Sequence, residues 1–241
     1  MYGWRGRIGL IVPSSNTTME PEFWRIVPEG VSVHAARLRL VNVDAESLKK
    51  MAEESVKAAE DLSTAEVDLV VYGCTTGSLL EGLEWEETLR LRMEKASGIR
   101  TITTAQAVIK ALKALSVRKV AVATPYVEEL NRREKEFLQA SGFEVVNIKG
   151  LGVVKNSDIG RLPPGVAYRL ALEVARSSPE AEGLFISCTN LRTLEVINVL
   201  EETLGIPVIS SNSASAWLAL RTLNIRDPIN YGRLLREIRR V

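Results

Sequence analysis

Val67-Asp68-Leu69-Val70-Val71-Tyr72-Gly73 runs into Cys74-Thr75-Thr76-Gly77-Ser78, and Gly183-Leu184-Phe185-Ile186-Ser187 runs into Cys188-Thr189-Asn190. Each is a short apolar run of the kind that forms a fully buried parallel strand, followed by small hydrogen-bonding residues and then a helical pattern. The chain's only two cysteines therefore occupy matching places. In a parallel α/β sheet ligands bind at the carboxyl ends of the strands, so the two thiols are expected to face one another across a single cleft.

The match extends outward. Arg7-Ile8-Gly9-Leu10-Ile11-Val12-Pro13 resembles Lys119-Val120-Ala121-Val122-Ala123-Thr124-Pro125, and Gly98-Ile99-Arg100-Thr101-Ile102-Thr103-Thr104-Ala105 resembles Gly205-Ile206-Pro207-Val208-Ile209-Ser210-Ser211-Asn212. Both of the latter lead into apolar helical stretches, Ala107 to Leu115 and Ala214 to Leu223. The chain thus reads as two copies of one unit, beginning near residues 5 and 117.

Further β-branched runs near 31–36, 68–72, 99–103, 143–148, 182–186 and 206–210 alternate with helical patterns near 45–64, 85–97, 105–115, 128–141, 165–178 and 192–204. This alternation predicts an α/β fold: two pseudo-twofold-related, doubly wound lobes, each with a four-stranded parallel sheet, and the active site in the cleft between them. The N-terminal lobe is placed at 1–113, joined by 212–241 crossing back to it. The C-terminal lobe is placed at 114–211, with a short hinge near 114.

Composition excludes several classes. Of 241 residues a quarter are charged, and the formal net charge is +1, which offers no field for nucleic acid. Charges of both signs alternate over Glu128-Glu129-Leu130-Asn131-Arg132-Arg133-Glu134-Lys135-Glu136, which reads as a solvated helix face. No apolar run reaches the roughly 20 residues of a membrane span, and the N-terminus enters a strand almost at once, so a cytoplasmic protein is expected. Two distant cysteines form neither a disulfide framework nor a zinc or thioredoxin spacing, which leaves free thiols or a spatial pair.

Three readings of the cysteine loops compete. In a catalytic one each thiol sits at a helix N-terminus, where backbone N–H groups and the helix dipole favour a thiolate, and the adjacent hydroxyls help hold a carboxylate. In a phosphate-binding one Gly73-Cys74-Thr75-Thr76-Gly77-Ser78 cradles a phosphate, yet no Gly-Lys-Ser/Thr ending follows. In the third, each cysteine is a small buried hydrophobe and the hydroxyls cap helices; the equivalence of the two positions counts against it. The single histidine, His34, lies inside a predicted strand and reads as structural, so no Cys–His dyad is expected. Asn16, in the loop Pro13-Ser14-Ser15-Asn16-Thr17-Thr18, suits a carboxylate because its amide donates without adding charge, while Ser15 or Thr17 suits a helix cap. Tyr126, directly after a strand-ending proline, is expected to point into the cleft.

Taken together, Pro13 to Glu20, Gly73-Cys74-Thr75, Ala123-Thr124-Pro125-Tyr126 and Ser187-Cys188 resemble the maleate cis-trans isomerase group of the aspartate/glutamate racemase superfamily. Val117 to Leu130 and Gly183 to Ser211 resemble the arylmalonate decarboxylases of the same superfamily. The resemblance spans essentially the whole chain. It implies no metal or organic cofactor, a small carboxylic-acid substrate, a homodimer, Cys74 as nucleophile and Cys188 as proton donor and acceptor. It further implies that Asn16, Tyr126, Asn156, Thr75, Thr76 and Thr189 bind substrate, a neutral donor set that holds a dianion without an arginine to pin it.

The chain departs from those isomerases in having polar Thr75-Thr76-Gly77-Ser78 after the first cysteine, which suits a larger or more polar acid. The decarboxylases lack the first cysteine, so Cys74 argues against simple decarboxylation. A two-thiol racemase or decarboxylase of an α-substituted acid is the alternative enzyme, and a non-catalytic small-acid binding protein is the alternative outside catalysis.

Overall fold

The computed structural model describes residues 2–239. The N-terminal lobe runs β1 (Gly6–Pro13), α1 (Met19–Ile26), β2 (Val31–Leu38), α2 (Ala45–Ser63), β3 (Leu69–Tyr72), α3 (Thr75–Leu79), α4 (Leu83–Ser97), β4 (Thr101–Thr103) and α5 (Thr104–Ala114). The C-terminal lobe follows as β5 (Lys119–Thr124), α6 (Glu128–Ala140), β6 (Glu144–Gly150), α7 (Asn156–Arg161), α8 (Pro164–Arg176), β7 (Gly183–Ile186), α9 (Leu194–Leu204) and β8 (Val208–Ser210). Helices α10 (Ser211–Thr222) and α11 (Gly232–Arg236) end the chain.

Each lobe holds a four-stranded parallel sheet, in the orders β2-β1-β3-β4 and β6-β5-β7-β8. The doubly wound α/β expectation holds, and the two orders are the same. Strand order reverses between β1 and β3 and again between β5 and β7, which opens a crevice at the carboxyl end of each pair. The central strands are apolar on both faces because helices cover both: β3 is buried throughout, as is β7.

The two last strands pass straight into helices, with Thr103 capping α5 through the Gln106 amide and Ser210 capping α10 through the Ser213 amide. Helix α10 is buried all round from Ser211 to Leu220, unlike a surface helix with one apolar stripe. It packs against α5 and α1, and Ser215 donates to Thr104 across the α5–α10 contact. Beyond it, α11 packs on α9, β8 and α10, and Asp227 pairs with Arg5.

The short helices α1, α7 and α11 fall outside the helical stretches predicted by periodicity. At eight, six and five residues they are too brief to show a 3.6-residue repeat. Among the described residues no helix is long and apolar enough to cross a membrane.

Candidate active site

The loops after β1 and β3, and after β5 and β7, converge where the sheet orders reverse. Asn16 is 2% exposed, and its Oδ1 accepts from the Thr18 and Met19 amides at the start of α1; the N-cap residue there is Thr18, not the expected Ser15 or Thr17. Asn16 Nδ2 donates across the cleft to Thr189 Oγ1 at 3.0 Å, and Thr189 Oγ1 donates to the Gly73 carbonyl at 3.2 Å. Asn156, at the start of α7, donates to Ser15 Oγ at 2.8 Å. Thr75 Oγ1 donates to Ser211 Oγ at 2.8 Å, and Thr76 Oγ1 lies 4.0 Å from Cys74 Sγ. The side chains of Asn16, Thr75, Thr76, Asn156 and Thr189, and that of Tyr126, are uncharged and buried. Asn190 is the organiser that the sequence did not single out: its side chain binds the Thr17 amide and the Asn156 carbonyl, while its own amide donates to Cys188 Sγ at 3.4 Å.

Both cysteines are free, and the Thr189–Gly73 hydrogen bond joins the residue after Cys188 to the residue before Cys74. Only Cys74 precedes a helix directly. Cys188 is followed by a turn, and α9 starts at Leu194, so the expected second helix N-terminus is absent from that thiol. Cys188 instead adopts φ +89°, a region disfavoured for any residue with a Cβ and one that clusters at functional sites. The expected dipole-stabilised thiolates are not found either. Burial pushes Cys74 up to about 11, against hydrogen bonds from the Gly77 amide and Thr76. Burial likewise pushes Cys188 up to about 12, against hydrogen bonds from Tyr126 and the Asn190 amide. Desolvation therefore outweighs the donors, and the closed site holds two thiols.

Each thiol has a buried phenol beside it, Tyr72 at Cys74 and Tyr126 at Cys188. Gly77 makes room for the first pair: a Cβ there would lie 2.8 Å from the Tyr72 hydroxyl and 3.1 Å from Cys74 Sγ. Gly77→Ala gains about 1 kcal/mol of helix propensity and costs about 1–3 kcal/mol in crowding. Its melting temperature is expected to fall by several degrees at most, while displacement of Sγ lowers turnover by about tenfold or more. Unchanged turnover would show that the slot is not tight.

Two buried glutamates flank the cleft at matching positions, nine residues beyond Pro13 and Pro125. Glu22 accepts from the Thr193 and Leu194 amides and from Asn212, which ties α1 to the C-terminal lobe. Glu134 accepts from Ser187 Oγ at 2.6 Å. It is fully buried on the Leu130, Phe137 and Leu138 side of α6, which corrects the reading of residues 128–136 as a wholly solvated face. Burial raises each carboxyl from an ordinary 4.5 to about 7. A carboxyl raised on folding stabilises below its unfolded value and loses that contribution as pH rises through its folded value. The protein is thus expected to lose stability between pH 4.5 and about 7, by about 3 kcal/mol at most for each group. Thermal melting across this range checks it, and a melting temperature that climbs through the window contradicts it.

The cleft is shut. The Val43 amide donates to the Val154 carbonyl at 2.9 Å and the Asn156 amide to the Val41 carbonyl at 3.0 Å, a small antiparallel bridge between the loops after β2 and β6. Cys74 and Cys188 are only 4% and 5% exposed. His34 bonds Ser32 within β2, and Arg192 pairs with Glu195 at the surface. Among the described residues no group of three or more metal-type side chains is gathered.

These features define a two-lobed α/β protein with one thiol from each lobe in a closed, neutral, donor-rich cleft. The arylmalonate decarboxylase family model matches residues 8–235, and the chain belongs to that family. It is 32% identical to a maleate isomerase of Geobacillus stearothermophilus over 95% of this chain and 96% of the relative. The structure of a cysteine-to-alanine variant of the maleate isomerase Iso from Pseudomonas putida, with maleate, superposes with a TM-score of 0.92 at 27% identity, covering 96% of this chain and 97% of that one. A cysteine-to-serine mutant of the Nocardia farcinica maleate cis-trans isomerase, with a covalently bound succinylcysteine intermediate, superposes with a TM-score of 0.89 at 27% identity, covering 96% and 98%.

Proposed function

We propose that this chain is a cofactor-independent isomerase that converts maleate, or a maleate-like cis-dicarboxylate, to the trans acid through a covalent adduct on Cys74. The observation that carries this reading is the pairing of Cys74 and Cys188 across a cleft whose other donors are all neutral. The succinylcysteine held by the Nocardia farcinica relative supports the same chemistry.

Cys74 first gives up its proton to solvent water; the thiolate adds to one olefinic carbon, and the π electrons move to the other carbon and its carboxylate. Cys188 gives its proton to that carbon, leaving a thioether with a central single bond that can rotate. The Cys188 thiolate then takes a proton back. The electron pair re-forms the double bond in the trans sense as the C–S bond breaks and returns the Cys74 thiolate. Asn16, Asn156, Tyr126 and Thr189, with Thr75 and Thr76, would hold the two carboxylates. A neutral set lets one carboxylate swing as the bond turns, where a bidentate arginine would hold it. The enzyme would act in the cytoplasm as a homodimer.

A racemase or decarboxylase of an α-substituted acid is the second reading, supported by the polar Thr75-Thr76 loop and by the family match. Assays with maleate and with phenylmalonate side by side separate the two. Loss of maleate without release of CO₂ from phenylmalonate is expected, and the reverse pattern overturns the isomerase reading.

A further inference from the structure

One titratable group beside the thiol pair has no part in the cycle above. Glu22 and Glu134 occupy equivalent places in the two lobes, yet only Glu22 is explained as a staple, with both of its oxygens bonded. Glu134 has a single partner, Ser187, the residue before Cys188; its Oε2 is buried without a hydrogen-bond partner. It borders a cavity of ≈ 10 Å³ at the interface between the lobes. The side chains around it on other elements are uncharged: Thr75 and Leu79 of α3, Ala105 and Val108 of α5, and Phe185 and Ser187 at β7. The titratable groups that feel it are Tyr126 and Cys188, both of its own lobe.

We propose that Glu134 is a positioning residue that reinforces the roles of the two thiols: its carboxylate, which accepts from Ser187 next to Cys188, keeps Cys188 as the protonated partner and leaves Cys74 to become the nucleophile. Two thiols sharing one dry cleft repel as thiolates, so the pair gives up one proton far more readily than two. Cys74 stands directly before α3 while Cys188 is followed by a turn, which already leans the pair toward losing the Cys74 proton. A negative charge on the Cys188 side adds to that lean, because a like charge disfavours ionisation of its neighbour. Glu134, Ser187, Tyr126 and Cys188 all belong to the C-terminal lobe. The carboxyl titrates at about 7, and the bias therefore strengthens as pH rises through neutrality.

This inference rests on the two-thiol reading, and its test reads thiols instead of turnover, so the two fail separately. The native protein is labelled with iodoacetamide at about pH 6 and about pH 8, and the ratio of Cys74 to Cys188 modification is mapped by mass spectrometry; a rise of about tenfold is expected, one unit of differential ionisation. Glu134→Gln is expected to hold the ratio constant across that range, and Glu134→Asp to restore part of the rise. Glu134→Leu, which continues the apolar stripe of α6, gives a second charge-free variant should the glutamine form fold poorly. A flat ratio in the native protein, or the native rise in either charge-free variant, overturns the proposal.

Discussion

Replacing Cys74 by alanine is expected to abolish turnover of maleate, by at least about a thousandfold, because the one thiol left, Cys188, cannot both form the adduct and move the proton at the neighbouring carbon. The neighbouring hydroxyls of Thr75, Thr76 and Ser78 are committed to hydrogen bonds or are far weaker nucleophiles than a thiolate. The loss is chemical and not structural. Cys74 is buried but small, and removing one sulfur costs at most about 1–2 kcal/mol of packing. Steady-state fumarate formation measures the effect, and a melting curve confirms that the variant is folded. Turnover within tenfold of the native value would reject Cys74 as nucleophile.

Cys188→Ser is expected to stall the cycle instead of preventing its start. A serine hydroxyl is a much poorer acid than a thiol, so proton delivery and removal at the second carbon slow together, and turnover falls by about 10²–10⁴-fold. Addition by Cys74 remains possible, and the adduct accumulates. Intact-protein mass spectrometry after incubation with maleate should show a gain of one maleic acid, located on the peptide that carries Cys74. The positive φ at residue 188 is a backbone feature that serine tolerates no worse than cysteine, so the fold should persist. Normal turnover, or an adduct located elsewhere, would contradict the assigned roles.

The architecture was legible because apolar strand runs repeat in the same order and end at equivalent punctuation, Pro13 with Pro125 and Cys74 with Cys188. Such runs need only be buried to be recognised, and burial on both sheet faces is what a parallel sheet imposes. The site was half legible. Cys74, Cys188, Asn16 and Tyr126 announce themselves by chemistry at strand ends.

Glu134 did not, because it lies within a highly charged helix, and only its spacing from Leu130, Phe137 and Leu138 marks it as inward-facing. That spacing, a charge on the apolar stripe, was the available signal. Asn190 was hidden for a different reason. Its importance lies in bonds to Thr17 and Asn156, far away in sequence, which no local pattern encodes. The helix-dipole expectation for Cys188 failed because a turn intervenes before α9, and a boundary shift of a few residues is beyond what periodicity resolves.

In the proposed reaction two thiols and a neutral donor set convert a cis-dicarboxylate to its trans isomer through Cys74. Proton NMR of the purified protein with maleate, run beside Cys74→Ala, tests it most directly. The account predicts a fumarate olefinic signal that grows at the expense of maleate in the native sample and stays absent in the variant. Maleate left unchanged by the native protein, or fumarate formed equally by both, would contradict it.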